Sequence, residues 1–295
     1  MLHSVMLNIT AELTLPLHKA CLLLAPVSEN AGLYTAMICG NRTSINESFK
    51  FALSQMALLH LLVVSGFHLA FLESLLRVLL PRSQSPIRRI FIWSVLILFA
   101  LINQLRAPIA RALIALVLRS TNRAFGLQWT RLQIITASGF ATFAFCRTNS
   151  DRQALLLSWL ATLALTGIEN NERSRFQALF IHTRAYVLIL PALLPLSAPS
   201  PFSILCNWIL APLLGIVLFP ASLLGFLIQP LVPVTDCLWK IARLGLELLS
   251  SLTPNGASPI AISQLALWSY LALITFCFWF FHERQNGVQS IQSTC

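Results

Sequence analysis

Long apolar stretches follow one another along this chain, with only short polar linkers between them. The longest covers residues 202–232, and residues 52–80, 90–105, 178–196 and 259–281 form others. An α-helix rises about 1.5 Å per residue, so about 20 apolar residues cross the ~30 Å hydrocarbon core of a bilayer. Backbone groups in that core must be hydrogen-bonded internally. The stretches therefore predict an all-α polytopic integral membrane protein with about eight or nine membrane segments.

The scarcity of charge supports the same class of protein. Asp, Glu, Lys and Arg make up 10% of the 295 residues, against about a quarter in soluble globular domains. So few charges cannot cover a water-facing surface, which excludes a soluble enzyme and an intrinsically disordered chain. The seven cysteines form no C-x-x-C pair, so we expect neither a zinc site nor a disulfide framework. Residues 1–50 are more polar, and we expect a short amphipathic or surface segment there.

Three segments depart from the pattern of a straight spanning helix. Residues 107–118 are a short apolar stretch that contains an arginine, which fits a half-helix or re-entrant segment. Residues 202–232 contain several prolines and glycines and predict helices broken at Pro212 or Pro220. Residues 236–252 place leucine and isoleucine at helical spacing on one face and charged residues on another. That pattern predicts one amphipathic interfacial helix.

The positive charge is concentrated in one part of the chain. The net charge is +10, and no acidic residue lies between Glu73 and Asp151, whereas ten arginines do. Most of these arginines fit cytoplasmic loops under the positive-inside rule. Arg106 and Arg111 fit that rule poorly, because they interrupt hydrophobic sequence. The alternative interpretation is that such residues line a path for a polyanion.

The first group of polar residues inside apolar sequence is His60, Ser65, Gly66 and His68. Such side chains are costly in a membrane unless they face protein or water. A polar helix–helix contact explains them without any further role. An intramembrane serine protease requires a glycine two residues before its serine, where this chain has Val63. No H-E-x-x-H motif is present either, so we expect no catalytic residues and no bound metal.

Three further segments place isolated polar or helix-breaking residues in apolar sequence. Pro108 suits the first turn of a helix, and Arg111 follows it; the arginine either snorkels to the interface or faces a wet cavity. The Ser158 hydroxyl can bond to the preceding helical turn. Asn207 precedes Pro212 by five residues, so its amide can satisfy carbonyls that the proline leaves free.

The order of these segments resembles the ComEC competence proteins, the inner-membrane channels for incoming DNA in natural transformation. The first motif, HLLVVSGFHLAFL, resembles the family signature H-L-L-x-x-S-G-x-H. APIARALI resembles its proline–arginine–alanine segment, LLLSWLATLAL its L-S-F-x-A helix, and LCNWILAPLLGIVLFP its asparagine–proline segment. The resemblance implies that the following residues belong to the DNA path or to the motifs of the channel: His60, Ser65, Gly66, His68, Pro108, Arg111, Ser158, Asn207 and Pro212.

The resemblance also implies an organisation, a location and partners. Residues 1–32 form a lead-in segment, residues 33–282 the channel domain and residues 283–295 a polar tail. The protein is expected to be a multi-pass protein of the bacterial inner membrane that binds single-stranded DNA and membrane lipid. It is expected to work with DNA-uptake machinery that includes a separate ATP-driven motor and a DNA receptor, and homo-oligomers are compatible with this role. No P-loop motif is present, and no cofactor is expected.

This chain differs from the family in two respects, and two alternative functions remain open. Many family members carry an OB-like domain and a metallo-β-lactamase-like domain, and neither fits in the short segments that flank the similarity here. We therefore expect that this protein has no nuclease activity and is not an enzyme. Trp159 replaces the usual phenylalanine of the third motif. The alternatives to a DNA channel are a small-solute secondary transporter, which also uses broken helices, and an intramembrane hydrolase.

Overall fold

The structure is a computed structural model, and it describes residues 2–56, 58, 66–80, 85–146, 148–166, 175–196, 203–252 and 260–292. In these residues all regular secondary structure is helical, as the apolar stretches predict. His60 and Ser65 lie outside the described residues.

The helices in chain order are α1 (Leu2–Leu23), α2 (Ala31–Tyr34), a π-helix (Thr35–Cys39), α3 (Glu47–Gln55), α4 (Gly66–Leu79), α5 (Pro86–Ile102), α6 (Ala107–Ala124), α7 (Arg131–Phe143), α8 (Asn149–Ala164) and α9 (Arg175–Leu193). They continue as α10 (Ser203–Pro212), a second π-helix (Leu213–Leu218), α11 (Phe219–Leu227), a 3-10 turn (Gln229–Leu231), α12 (Val232–Leu252) and α13 (Gln264–Gln292).

Two compact units divide the chain. Unit 1 comprises Met1–Leu113 and Ser197–Ser258, and unit 2 comprises Ile114–Leu196 and Pro259–Cys295. In unit 2, α7, α8, α9 and α13 pack together. The Gln153 amide donates a 3.2 Å hydrogen bond to the Ala192 carbonyl, and the Tyr270 hydroxyl donates one of 3.2 Å to the Leu188 carbonyl.

Local sequence accounts for several helix starts. The Asn46 side chain accepts a hydrogen bond from the Ser48 amide and begins α3. Ser85 caps α5 in the same way, with Pro86 in its first turn. Thr130 and Thr148 form capping boxes at the starts of α7 and α8. Each of these residues satisfies amides that the first turn of a helix leaves unpaired.

A disulfide bond joins Cys21 to Cys39, whose Cα atoms are 6.0 Å apart. The expectation that the cysteines form no disulfide is therefore wrong for this pair. The expectation of only a short segment in residues 1–50 is also wrong, because α1 has 22 residues. The chain reverses after α1, and the first π-helix returns beside the end of α1. Cysteines that are 18 positions apart are paired by this reversal, which no local spacing reveals.

The 202–232 stretch does not break at Pro212 or Pro220, so that prediction is wrong. Ser203–Leu227 is one continuous helical run of 25 residues, which widens into the second π-helix directly after Pro212. A π-helical turn can accommodate the carbonyls that a proline leaves unpaired. Pro220 is the second residue of α11 and follows directly on the wider turns of the π-helix. The interruption comes at Ile228, where the backbone becomes extended before the 3-10 turn.

Helix α6 is longer than its apolar sequence predicts. It has 18 residues and continues to Ala124, beyond the apolar stretch that ends at residue 118. At about 1.5 Å per residue its length is about 27 Å. The shortness of the segment is therefore no argument for a re-entrant placement of Arg111, and the role of that residue depends on what surrounds it.

Among the described residues, the run Ser203–Leu227 is the one helical segment long and apolar enough to cross a membrane by length and composition. Thr183–Leu193 and Gln264–Phe280 are shorter apolar helices. Helices α5, α7 and α8 are too short to meet this criterion, because they have 17, 13 and 16 residues.

Helix α12 exposes its apolar stripe. Ile241, Leu244 and Leu248 are more than half exposed, whereas Trp239 and Leu246 are buried in unit 1. Arg243 and Glu247 form an ion pair of 2.9 Å on the surface. The helix is amphipathic, but its aliphatic stripe faces outward and an aromatic residue anchors its inner face.

Candidate functional site

The N-terminal turn of α4 is the meeting point of three sequence motifs within unit 1. This turn consists of Gly66, Phe67 and His68. On one side it contacts the first turns of α6, and on the other side it contacts the second π-helix and the start of α11. We call this arrangement the motif junction.

Close backbone packing joins α4 to α6. A Cβ atom at residue 66 would lie 3.1 Å from the Pro108 carbonyl oxygen and 3.1 Å from the Ala112 Cβ. The Arg111 Nη2 atom would lie 3.8 Å from the same position. Glycine permits this approach because it has no side chain. The first and second motifs are thus brought together, with the Arg111 guanidinium at their contact.

Aromatic packing joins α4 to the fourth motif. The Phe67 ring lies against Gly215, where an added Cβ would come within 2.4 Å of the ring. The His68 and Phe219 rings have centroids 4.4 Å apart. Both His68 and Phe219 are buried. Because Gly215 lies within the π-helical segment and Phe219 directly follows it, the wide turns of this segment set where these two contacts occur.

Asn207 fixes the helix that carries the fourth motif. Its amide nitrogen donates 2.8 Å hydrogen bonds to the Met56 and Ser203 carbonyls. The first bond ties α10 to the end of α3, just before the first motif. Both acceptors lie away from Pro212, which is at the end of α10, so the hydrogen bonds of the Asn207 amide go to other carbonyls than those that the proline leaves free.

Two ionisable residues of the junction are withdrawn from solvent. Arg111 is 5% exposed and His68 is 1% exposed. Both residues have interaction partners. A buried guanidinium is retained only where it is paired or faces a polar space. The geometry therefore argues against the interpretation that Arg111 snorkels freely to the membrane surface.

A second group of polar contacts lies at the end of α5 and of α1. The buried Asn103 side chain donates to the Ile38 carbonyl at 3.0 Å and to the Phe99 carbonyl at 2.8 Å. The His18 imidazole lies 3.0 Å from the Ile102 carbonyl. These contacts and the nearby disulfide hold the first π-helix against the turn that leads into α6. We call this region the disulfide end of unit 1.

The same turn has an unusual backbone. Gln104 and Leu105 have φ angles of 56° and 48°, a left-handed conformation that costs free energy for residues other than glycine. The turn brings Arg106 near Arg42. Desolvation by the surrounding protein lowers the pKa of the Arg42 guanidinium, and the positive charge of Arg106 lowers that pKa further.

The structure does not bring every residue of the motifs into the junction. Gly66, His68, Pro108 and Arg111 lie there, and Asn207 and Pro212 belong to the helix beside it. Ser158 belongs to unit 2, where its carbonyl accepts a 2.7 Å hydrogen bond from the Thr162 hydroxyl.

Several contact residues of unit 1 were not recognisable as such in the sequence. Asn103 interrupts an apolar stretch, which is a usable signal for a polar contact. Phe67 and Gly215 gave no such signal, because aromatic and glycine residues are common in membrane helices. Arg42 lies in a turn-forming segment that begins at Gly40, whose φ of 72° ends the first π-helix.

Within the part of the chain that the structure describes, no group of three or more His, Cys, Asp or Glu side chains is placed to hold a metal ion. What the junction offers chemically is a buried cation, an imidazole and tightly packed aromatic rings. A long apolar helical run beside a buried arginine is typical of helical membrane proteins with a functional polar interior.

The chain belongs to the competence protein family, whose sequence model matches residues 37–285. This match covers all four motifs and confirms the ComEC-type resemblance. Family membership assigns the protein to competence, the uptake of DNA. Neither the curated proteins nor the solved structures that were compared with the chain gave a match.

Proposed function

We propose that this protein forms the membrane core through which single-stranded DNA crosses the bacterial inner membrane during natural transformation. The observation that carries the proposal is the motif junction, where Gly66 lets α4 approach α6 and Arg111 is buried at their contact. Arginine remains charged at all relevant pH values and binds phosphate through a planar array of donors. A phosphodiester backbone requires such cations along its path.

Further cations support an entry route at the disulfide end. Arg42 and Arg106 lie close enough for the charge of one to lower the pKa of the other. Arg111 follows Arg106 by five residues, about 7.5 Å along the axis of α6. In this proposal a strand meets Arg42 and Arg106 first and Arg111 next.

The proposal includes an orientation, in which the disulfide end faces the periplasm. Disulfides persist in the periplasm and are rare in the cytoplasm. Arg88 and Arg89 lie at the opposite end of α5, which is 17 residues long, and the positive-inside rule favours the cytoplasm for them. The usual location of disulfides and the positive-inside rule therefore support the same membrane orientation, independently of each other. The chain would be multi-pass, with about eight or nine segments if shorter and tilted helices also span.

The orientation predicts which cysteines react from outside the cell. Cys237 is free and exposed, and its neighbour Asp236 accepts a 3.0 Å hydrogen bond from Asn30, near the disulfide end. A membrane-impermeant maleimide should label Cys237 in intact spheroplasts, and the Cys237→Ser variant supplies the background. A cysteine introduced by Arg89→Cys into that variant should be labelled only after permeabilisation. The reverse pattern would contradict the orientation.

The proposed role leaves energy and strand degradation to partners. A separate ATP-driven motor and a DNA receptor would act with this chain, and the chain itself would have no enzymatic activity and need no cofactor. Homo-oligomerisation would be compatible with a path within one copy or between copies.

Deletion in the native host tests the function directly. We expect transformation frequency to fall to the level of a strain without uptake, while labelled DNA still enters a nuclease-protected state in the periplasm. Restoration by the plasmid-borne gene is the control. Transformation at the wild-type level would refute the proposal. Loss of periplasmic uptake as well would place the protein at an earlier step and would also contradict a role confined to the inner membrane.

Purified protein distinguishes a DNA channel from a small-solute transporter. We expect it to bind a labelled single-stranded oligonucleotide, with affinity falling as salt rises, because phosphate contacts release counterions. A small-solute transporter is not expected to bind the oligonucleotide in this salt-dependent way.

A further inference from the structure

Unit 2 contains a cavity of about 740 Å³ that none of the DNA-path residues uses. Its walls come from α7, α8 and α13 and from the residues just before α7. Half of the lining residues are aromatic: Trp129, Phe140, Phe143, Trp159, Trp268, Phe276 and Trp279. The volume lies in the range of small-molecule binding sites, which combine apolar walls with a few polar groups.

The wall is fixed by close packing. The Phe143 and Trp268 rings have centroids 4.7 Å apart, and those of Phe140 and Trp159 are 5.3 Å apart, both edge to face. A Cβ atom at Gly139 would lie 2.4 Å from the Trp159 ring. Trp159 can therefore lie directly on the backbone of α7. The cavity is bounded by side chains that support one another.

Two donors beside this cavity lack acceptors. The Trp159 Nε1 and Arg152 Nε atoms are buried and have no hydrogen-bond partner among the described residues. Trp159 is 2% exposed and lines the cavity. The Arg152 guanidinium lies 5.7 Å from the centre of the Phe143 ring, which is part of the wall. Unsatisfied buried donors are costly and uncommon, so they indicate acceptors that a bound molecule would supply.

The two donors lie along one line of α8. Arg152 and Trp159 are seven residues apart, so they are on the same helical face and about 10.5 Å apart along the axis. The carboxylate of Asp151, the nearest acid in sequence, accepts a 2.8 Å hydrogen bond from the Thr148 hydroxyl as part of the helix cap. An elongated molecule with an anionic end at Arg152 and an apolar body fits this arrangement.

We propose that the cavity binds an anionic phospholipid, with an acyl chain between the aromatic walls and the phosphate at the Arg152 guanidinium. An ester oxygen of the lipid would then accept from Trp159 Nε1 after a small rotation of the indole, because that atom is buried in the structure without lipid. Among the side chains that line the cavity, Gln133, Thr136 and Thr275 are the few other polar ones. Single-stranded DNA would need a wet cationic groove along its whole length, so the apolar walls favour lipid. The inference rests on the proposed membrane location and not on the proposed DNA path.

Brominated lipids test the proposal, because bromine quenches the fluorescence of nearby tryptophans. The purified full chain is placed in nanodiscs of unlabelled phosphatidylcholine that contain a small fraction of brominated phosphatidylglycerol or brominated phosphatidylcholine. We expect phosphatidylglycerol to quench at about a tenfold lower mole fraction, because both lipids offer a phosphate to Arg152 but only phosphatidylcholine carries a choline cation that the Arg152 charge repels. Equal quenching by the two lipids would overturn the proposal.

Two substitutions separate the phosphate contact from the acyl cavity. Arg152→Gln should remove the preference for phosphatidylglycerol, and Ala137→Leu, which adds volume to the wall, should weaken quenching by both lipids. Arg184→Gln is the matched control, because Arg184 also lies over a phenylalanine ring, at 4.8 Å from the centre of Phe278, but Phe278, unlike Phe143, does not line the cavity. The control should keep the preference. A preference that survives Arg152→Gln would refute the phosphate contact.

Two further measurements test whether the cavity binds lipid. Native mass spectrometry should show that the wild-type chain retains phosphatidylglycerol in preference to phosphatidylcholine. This measurement does not depend on the folding of a variant. An oligothymidylate that relieves the quenching by brominated lipid, and whose binding is lost in Arg152→Gln, would assign the cavity to DNA and overturn the lipid proposal. DNA import is not a readout here, so failure of the lipid site is distinguishable from failure of the channel.

Discussion

Replacing Arg111 with glutamine is expected to reduce DNA import by roughly 10- to 100-fold while the protein remains in the membrane. Arg111 is buried beside Gly66 at the motif junction. Removing its charge removes the hydrogen bonds that a guanidinium gives to phosphate, and each charge-assisted bond is worth about 1.5–3 kcal/mol. Transformation frequency, normalised to the amount of protein in the membrane, is the measurement.

Lysine at the same position separates charge from geometry. Arg111→Lys keeps the charge but loses the planar array of donors, so we expect an intermediate loss. Arg119→Gln is the matched control, because Arg119 lies on the same helix but is exposed. It should import DNA at close to the wild-type level. Wild-type import by both Arg111 variants would exclude this residue from the path, and failure of both to accumulate would make its role structural.

Replacing Gly215 with alanine is expected to destabilise unit 1 by about 1 kcal/mol, the low end of the usual cost of overpacking, because the Phe67 ring that it strikes is 48% exposed and has room to move. The new Cβ would lie 2.4 Å from Cε1 and 3.0 Å from Cζ of Phe67. The ring must therefore swing away, and α4 loses one of its two contacts with the fourth motif, while the contact between the His68 and Phe219 rings remains. A lower Tm in detergent, together with lower transformation frequency, is the expected result.

A second substitution should repair this defect. Phe67→Leu shortens the side chain that Gly215→Ala would strike, so the double variant should recover most of the lost stability. Gly245→Ala in α12 is the matched control, because no described atom outside its own helical turns lies within 4 Å of the added Cβ. It should be neutral or stabilising by up to about 1 kcal/mol, since alanine favours the helix. Equal losses from Gly215→Ala and Gly245→Ala would contradict the packing described for the motif junction.

The class of the fold and the main turns could be predicted from the sequence because they depend on local and additive properties. Scarce charge and long apolar stretches restrict the described residues to helices. The turn after Gly40 and the cap at Asn46 follow from the side chains present. The order of four motifs was sufficient to indicate the family, which the match to residues 37–285 confirms.

Helix ends and interruptions could be predicted less well, because neighbouring elements decide them. Prolines in the 202–232 stretch predict breaks, yet the π-helix after Pro212 keeps the run continuous. Apolar sequence ends at residue 118, yet α6 continues to Ala124, since polar residues are tolerated at the end of a helix that leaves the apolar region.

Contacts between distant segments could not be predicted, because they depend on how the chain returns upon itself. The sequence by itself determined a helical membrane class, a cationic chain and the identity of the motif residues. Only the tertiary structure decided that Cys21 pairs with Cys39, that Phe67 packs on Gly215, and that Arg111 is buried beside Gly66. Hydrophobic pattern specifies which residues avoid water, but apolar burial has no direction. Shape complementarity between particular side chains selects their partners, and that complementarity exists only once the helices are packed.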